Sequence, residues 1–211
     1  MRGINTKSRI QEEALKLFAK SGYDAVGVAE IADAVQIKAP SLYKHYKSKR
    51  EIFESIIERV NKADYDKAYE NDMPEDGYKE NASEMEGVNL DGIVRYAKEM
   101  LVHWTQDEFF CNFRRMLNLE QYNSQEMKNM YSQYISAGPL GYMTDVFEEL
   151  VGDRRLAENM SLEFYAPMFI MYSLYDGGTD IDTLCAMFDA YTDNFKQNFQ
   201  KHVKGRFKNG I

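Results

Sequence analysis

Six side chains able to carry positive charge, Lys38, Lys44, His45, Lys47, Lys49 and Arg50, fall between positions 38 and 50 of a chain whose formal net charge is −8. Tyr43 and Tyr46 stand among them, and Ala39, Pro40 and Ser41 precede them. Such a set suits a polyanion. Ammonium and guanidinium groups neutralise phosphates, while hydroxyl, ammonium and imidazole groups can donate to base edges. Residues 1–50 hold 10 Lys/Arg against 5 Asp/Glu, a net of +5, and residues 51–211 hold 16 against 29, a net of −13. A basic end on an acidic chain points to nucleic acid at that end and another task for the remainder. Charge by itself is equally compatible with an ordinary solvated surface.

Other chemistry is poorly represented. Cys111 and Cys185 lie far apart without CxxC spacing and read as small core residues in a reducing compartment. No second His or acid stands at ligand spacing from His45, so neither a metal nor a cofactor is expected. G-x-S-x-G, phosphate-loop and HExxH patterns are missing, which argues against an enzyme. The N-terminal stretch has no apolar core of a signal peptide. The longest apolar run, Leu162 to Tyr175, is interrupted by Glu163 and Ser173. It falls short of the roughly 20 residues that cross a bilayer. A cytoplasmic protein without a membrane partner is expected.

The basic residues need rigid elements behind them, and the periodicity is helical throughout. A first helix is predicted from Lys7 to Lys20, with Ile10, Ala14, Leu17 and Phe18 on one face and Gly22 just past its end. A second spans Val28 to Val35. After a turn at Gln36 and Ile37, a third runs from about Ala39 to Tyr46, with Pro40 in its first turn. The sequence SKRE, Ser48 to Glu51, has capping-box form and opens a fourth helix, whose face continues through Ile52, Phe53, Ile56, Ile57 and Val60. Two short helices across a tight turn, braced by a longer one, make a helix-turn-helix. Leu42 and Tyr46 are four residues apart and should face inward. Ala39, Pro40, Ser41, Lys44 and His45 then point out toward a major groove, with Lys38 in the same basic patch. Lys49 lies in the first turn of the fourth helix, where free N–H groups already favour a phosphate.

The segments ALKLF, GYDA, EIADAV, SLYKHYKSK and REIF together resemble the N-terminal domain of the TetR (tetracycline repressor) family of bacterial transcriptional regulators, over roughly residues 5–60. FRRMLNLEQY, SAGPL and FYAPMFIMYSLYDGG are similar to segments of that family's second domain. The resemblance implies that Val28 sits at the start of the second helix and that Ala39, Pro40 and Ser41 stand at the mouth of the recognition helix. It further implies that Tyr43 and Lys49 anchor phosphates, and that Lys44 and His45 touch bases or backbone. Tyr43 packed into the domain is the competing reading. Gly27, Val28 and Ala29 replace the Thr and Arg common in members, and Gln36 stands where Gly is commonest. Both departures bear on which DNA sequence is read and on affinity, not on the fold.

The expected architecture is all-α. A helix-turn-helix domain over residues 1–50 is followed by a connecting helix over about 48–66. An acidic connector spans 70–91, where eight Asp/Glu face the single Lys79. A helical ligand-sensing and dimerisation domain covers 92–211. Its predicted helices are 90–104, 108–119, 124–136, 139–151, 161–175 and 181–203, with Pro167 expected to kink the fifth. One recognition helix reads too few base pairs, so a homodimer on two half-sites is expected. Tyr165, Phe169, Tyr175, Leu184, Phe188, Tyr191 and Phe195 on the last two helices are the candidates for its interface, although filling one subunit's own core would explain them as well.

By the resemblance, the second domain encloses an effector pocket. His103, Trp104, Phe109, Phe113, Met116, Glu120, Tyr131, Tyr134, Phe147, Met168 and Tyr172 are the candidate lining. An inward His103 or Arg115 would favour an anion, and an inward Glu120 a cation. The expected function is a repressor that holds a palindromic operator in double-stranded DNA and is released by a small lipophilic effector. A DNA-binding regulator controlled by a protein partner is the alternative.

Overall fold

The computed structural model of the chain describes residues 6–73 and 89–209. Every element among the described residues is a helix. They are α1 (Thr6–Ser21), α2 (Val28–Val35), α3 (Ala39–Leu42), α4 (Lys49–Glu70), α5 (Leu90–Gln106), α6 (Glu108–Glu120), α7 (Gln125–Ile135), α8 (Ala137–Val151), α9 (Arg154–Asp176) and α10 (Ile181–Asn209). The acidic connector expected over 70–91 lies, from 74 to 88, outside the described residues. None of the described helices is long and apolar enough to cross a membrane.

The chain forms two compact units whose boundary differs from the expected one. Among the described residues, 6–65 pack with Asp107–Tyr131, and 66–73 with 89–106 pack with 132–209. A segment assigned by sequence to the second domain, α6 with the start of α7, therefore belongs to the unit that carries the helix-turn-helix.

In that first unit, α1 ends as its sequence predicts. Gly22 adopts φ +85 and its N–H reaches the Phe18 carbonyl at 2.9 Å, a left-handed exit that glycine makes at no steric cost. Helix α1 buries Ile10, Ala14, Phe18 and also Leu15, with Leu17 only half-buried. The expected stripe is widened because α1 is covered by both α2 and α6. Helix α2 has the predicted bounds. Gln36 takes φ 62 and ψ 41, and the Ile37 N–H closes back on the Ala32 carbonyl at 2.9 Å. The position where glycine is commonest thus does adopt the left-handed conformation, here with a glutamine. Arg9 secures that turn by donating to the Val35 carbonyl at 2.9 Å.

Ser48 caps α4 by accepting the Glu51 N–H at 3.1 Å. The reciprocal arm of the box reaches one residue further than expected: Glu51 accepts from the Lys47 N–H, not from Ser48. Ile52, Phe53, Ile56 and Val60 are fully buried. Phe18, Tyr23 and Phe53 stack around one another, with centroids 5.1 Å apart for Phe18–Tyr23 and 4.9 Å for Tyr23–Phe53. These separations lie in the favourable range for tilted aromatic pairs.

The second unit is built on α8 against α9, with α5 and α10 packed on α9. Helix α9 begins seven residues before its predicted start. Asp153 caps it through the Leu156 N–H at 3.0 Å, and the interleaved Arg154, Arg155, Glu158 and Asn159 hid this start from a reading keyed to apolar residues. Helix α8 starts at Ala137 rather than Pro139. Gly138 there has the Gln133 carbonyl oxygen 1.9 Å from where a Cβ would stand, so no other residue fits. Thr144 and Ser161 share a buried hydrogen bond of 2.6 Å across α8 and α9. Pro167 lies inside α9, and the helix continues beyond it.

Candidate nucleic-acid interface

The recognition element is one α-helical turn followed by tighter turns, shorter than the predicted span to Tyr46. Helix α3 proper ends at Leu42. Beyond it the Lys44 N–H bonds to the Ser41 carbonyl at 3.3 Å and the His45 N–H to the Leu42 carbonyl at 2.8 Å, both three residues back. The Tyr46 N–H then returns to the four-residue step, reaching the Leu42 carbonyl at 3.1 Å. Such tightening over a short piece is common at helix ends.

The inward and outward faces fall where the spacing placed them. Leu42 and Tyr46 are buried, whereas Tyr43 is 52% exposed and Lys38, Pro40 and Lys44 are exposed. Ala39, Ser41 and His45 are half-buried. Tyr43 is therefore not core. Helix α2 begins at Val28, itself half-buried, after Gly27, which offers no side-chain cap. The missing hydroxyl noted in the sequence leaves the first α2 amides without that partner.

Lys49 is engaged within its own unit. It was expected to offer its charge to a phosphate, yet its ammonium points into the protein. It donates to the Tyr23 carbonyl at 2.8 Å, to the Val26 carbonyl at 2.9 Å and to the Asp24 carbonyl at 3.4 Å, and lies 4.3 Å from the Tyr23 ring centre. Lysine has three donors, and each has an acceptor. Lys49 ties the start of α4 to the loop between α1 and α2.

The same loop is held from a second direction. Glu120 at the end of α6 accepts the Tyr23 N–H at 2.8 Å and the Asn123 side-chain amide at 3.0 Å. A Cβ on Gly22 would stand 2.6 Å from this carboxylate. Burial pushes the Tyr23 hydroxyl pKa up, with the nearby Arg50 opposing it. Arg50 pairs with Glu54 at 2.8 Å and with Glu126 of α7 at 2.7 Å. Arg59 lies 3.9 Å from the Phe109 ring centre, a cation–π geometry. The links from Tyr23 to Glu120, from Arg50 to Glu126 and from Arg59 to Phe109 carry no local signal, because their partners lie tens of residues apart.

The structure divides the expected pocket residues between the two units. Phe109, Phe113, Met116 and Glu120 follow three- and four-residue steps on α6, and all are buried within the first unit. Tyr131 is half-buried in that unit too. Phe147 is fully buried in a ring cluster, 5.6 Å from both Phe164 and Phe195 and 6.3 Å from Phe199. It fills core space. Trp104, Met168 and Tyr172, buried, with half-buried His103 and Tyr134, remain together in the second unit.

The expected dimer residues divide likewise. Leu184, Phe188 and Phe195 are buried within the single chain, so they cannot form its outer surface. Tyr165 is 9% exposed and its hydroxyl donates to the Ile135 carbonyl at 2.7 Å. Tyr191 is half-buried and donates to the Phe164 carbonyl at 3.0 Å. Its hydroxyl pKa is strongly raised, first by burial. Phe169 at 38% and the half-buried Tyr175 do face outward. Leu162, Ile170 and Met187, at 56%, 55% and 42% exposure, share that outward placement. Their residue types could not tell an outer face from an inner one.

Residues 10–56 match the model of a family described as bacterial regulatory proteins, tetR family. The chain is 40% identical over 52 residues to IcaR, the negative transcriptional regulator of the biofilm operon icaADBC, from Staphylococcus epidermidis. It is 41% identical over 51 residues to IcaR of Staphylococcus aureus strain Newman. These matches cover 25% and 24% of this chain, and the chain spans only 28% and 27% of those relatives' lengths. Among solved structures, a transcriptional regulator from Aquifex aeolicus VF5 superposes with a TM-score of 0.66 at 19% identity, covering 92% of this chain and 99% of that one. The fatty acid degradation regulator FadR from Bacillus halodurans gives 0.61 at 14% identity, covering 92% and 96%. A TetR-family regulator from Bordetella parapertussis gives 0.61 at 16% identity, covering 90% and 94%. These likenesses show a shared all-helical fold.

Proposed function

We propose that residues 10–56, which match the tetR family model, are the DNA-binding domain of a transcriptional repressor that acts on duplex DNA as a two-fold homodimer. The observation that carries this reading is the recognition element. Leu42 and Tyr46 are sunk in the domain at 0% and 3% exposure, while Tyr43, Lys44, Pro40 and Lys38 stand free on the other side. Small residues at the start of α3 let its backbone approach the bases. Lys44 and His45 then donate into the major groove, with Ser41 beside them. Tyr43 and Lys38 bind phosphate, and the uncapped start of α2 at Val28 offers amide N–H groups to another.

The dimer forms through the outward sides of α9 and α10. Leu162, Phe169, Ile170 and Met187 leave a group of large apolar side chains exposed on two neighbouring helices. A second copy covers this group. The repressor sense follows IcaR, a negative regulator. Release by a small lipophilic effector is the mechanism that fits a second unit holding His103, Trp104, Met168 and Tyr172 on its packed α5 and α9 helices. Effector and DNA then oppose each other by equal free energies.

Selection of bound duplexes from a random pool by the purified chain tests the reading. An enriched inverted repeat, with half-sites about one helical turn apart, is the expected result. Failure to enrich any duplex at low salt overturns it.

A further inference from the structure

Resting on the DNA-binding reading, we infer that Glu120 is a positioning residue for DNA binding: from α6 it fixes the loop on which both the start of α2 and the start of α4 are hung. Recognition element 38–46 is strung between these two helices, so its aim depends on how each is anchored. Lys49, the first residue of α4, is tied to the carbonyls of Tyr23 and Val26. Gly27, one residue on, is the N-cap of α2. The loop Tyr23–Val26 is thus the common mount, and Glu120 holds it through the Tyr23 N–H.

The mount is built around this carboxylate. Glu120 is 2% exposed, an unusual setting for a group that loses hydration on burial. Its two oxygens are met separately, one by the Tyr23 N–H and the other by the Asn123 side chain. Gly22 leaves room that any other residue would occupy, since a Cβ there would meet the Glu120 Oε1 at 2.6 Å. Six residues further on, Glu126 reaches Arg50, the neighbour of Lys49, at 2.7 Å. The corner between α6 and α7 therefore grips both the loop and the start of α4. Neither Glu120 nor Glu126 touches DNA in this account. They act through the elements that do.

The test uses the full chain and the duplex that the wild type enriches from a random pool. Glu120→Ala is expected to weaken binding about tenfold or more, because the charge-assisted hydrogen bond that fixes the Tyr23 N–H is lost. Stoichiometric titration should show an undiminished active fraction, and the salt dependence should flatten as phosphate contacts fall out of register. Glu120→Gln, which keeps a carbonyl oxygen for the Tyr23 N–H, should restore most of the affinity. Asn123→Asp places a second carboxylate against Glu120 from an exposed position. It should weaken binding severalfold without unfolding the chain, which keeps the inference testable should Glu120→Ala not fold. A lowered active fraction with an unchanged salt slope, or Gln no better than Ala, overturns the inference. So does wild-type affinity in Asn123→Asp. A wild type that enriches no duplex overturns the DNA-binding reading together with this one, whereas a wild type that binds alongside variants that match it overturns this one alone.

Discussion

Lys49 and Glu120 hold Tyr23 from its two ends: the Lys49 ammonium lies 2.8 Å from the Tyr23 carbonyl oxygen, and the Glu120 carboxylate accepts the Tyr23 N–H at 2.8 Å. One group comes from the start of α4 and the other from the end of α6. A backbone segment without regular structure is thereby fixed by two charged groups of opposite sign. Charge-assisted bonds are roughly twice as strong as neutral ones, which suits a loop that must hold its shape.

Lys49→Met should consequently act on stability. It keeps an unbranched apolar stem and removes three donors from the carbonyls of residues 23, 24 and 26. Loss of these bonds should cost about 1–3 kcal/mol in denaturant unfolding. If stability is unchanged while the salt dependence of DNA binding falls, Lys49 serves phosphate after all.

Lys44→Ala should do the reverse. Lys44 is exposed on the recognition element, so unfolding should shift by less than about 0.5 kcal/mol. If it neutralises a phosphate, the slope of log affinity against log salt should lose about 0.9 for each copy in contact. A selected duplex with altered base preference and an unaltered slope would instead mark Lys44 as a base reader.

Phe169 and Phe188 separate the proposed interface from the core. Phe188 is fully buried and packs 5.2 Å from Tyr191, centre to centre. Phe188→Ala should destabilise the chain by about 3–5 kcal/mol. Phe169 is 38% exposed, and Phe169→Glu should leave folding largely intact while shifting sedimentation from dimer to monomer. A monomeric wild type would refute the proposed dimer, and a dimeric Phe169→Glu variant would move its surface elsewhere.

Asp180 gives a pH signature. It caps α10 by accepting the Thr183 N–H at 2.9 Å and the Thr183 hydroxyl at 2.7 Å. The backbone bond first and the hydroxyl second hold its carboxyl pKa below the ordinary value. A depressed folded-state pKa means that its contribution is complete above the unfolded value and is lost as pH falls through the lowered one. Carboxyl NMR titration should find Asp180 below the usual aspartate range in the wild type, and raised but still below that range in Thr183→Val, which keeps the backbone bond and loses the hydroxyl. An unshifted wild-type Asp180 would show that the cap does not form.

By itself the sequence determined the local elements and the polarity of the reader. Helical periodicity, Gly22, Gln36, Pro40 and the capping residues at 48–51 act on their own neighbours, so the bounds of α2, the exit of α1 and the inward placement of Leu42 and Tyr46 could be read directly. Even the exposed cations were legible, because three- and four-residue spacing divides a helix into faces without reference to anything else. Tertiary structure decided what could not be local. It joined α6 to the first unit, turned Lys49 inward, spent Glu120 on a backbone amide and sank Phe147, Phe188 and Phe195 while leaving Phe169 and Ile170 outside. A buried and an exposed phenylalanine are the same residue type. Only the packing of chain segments tens of residues apart selects which of them loses its contact with water.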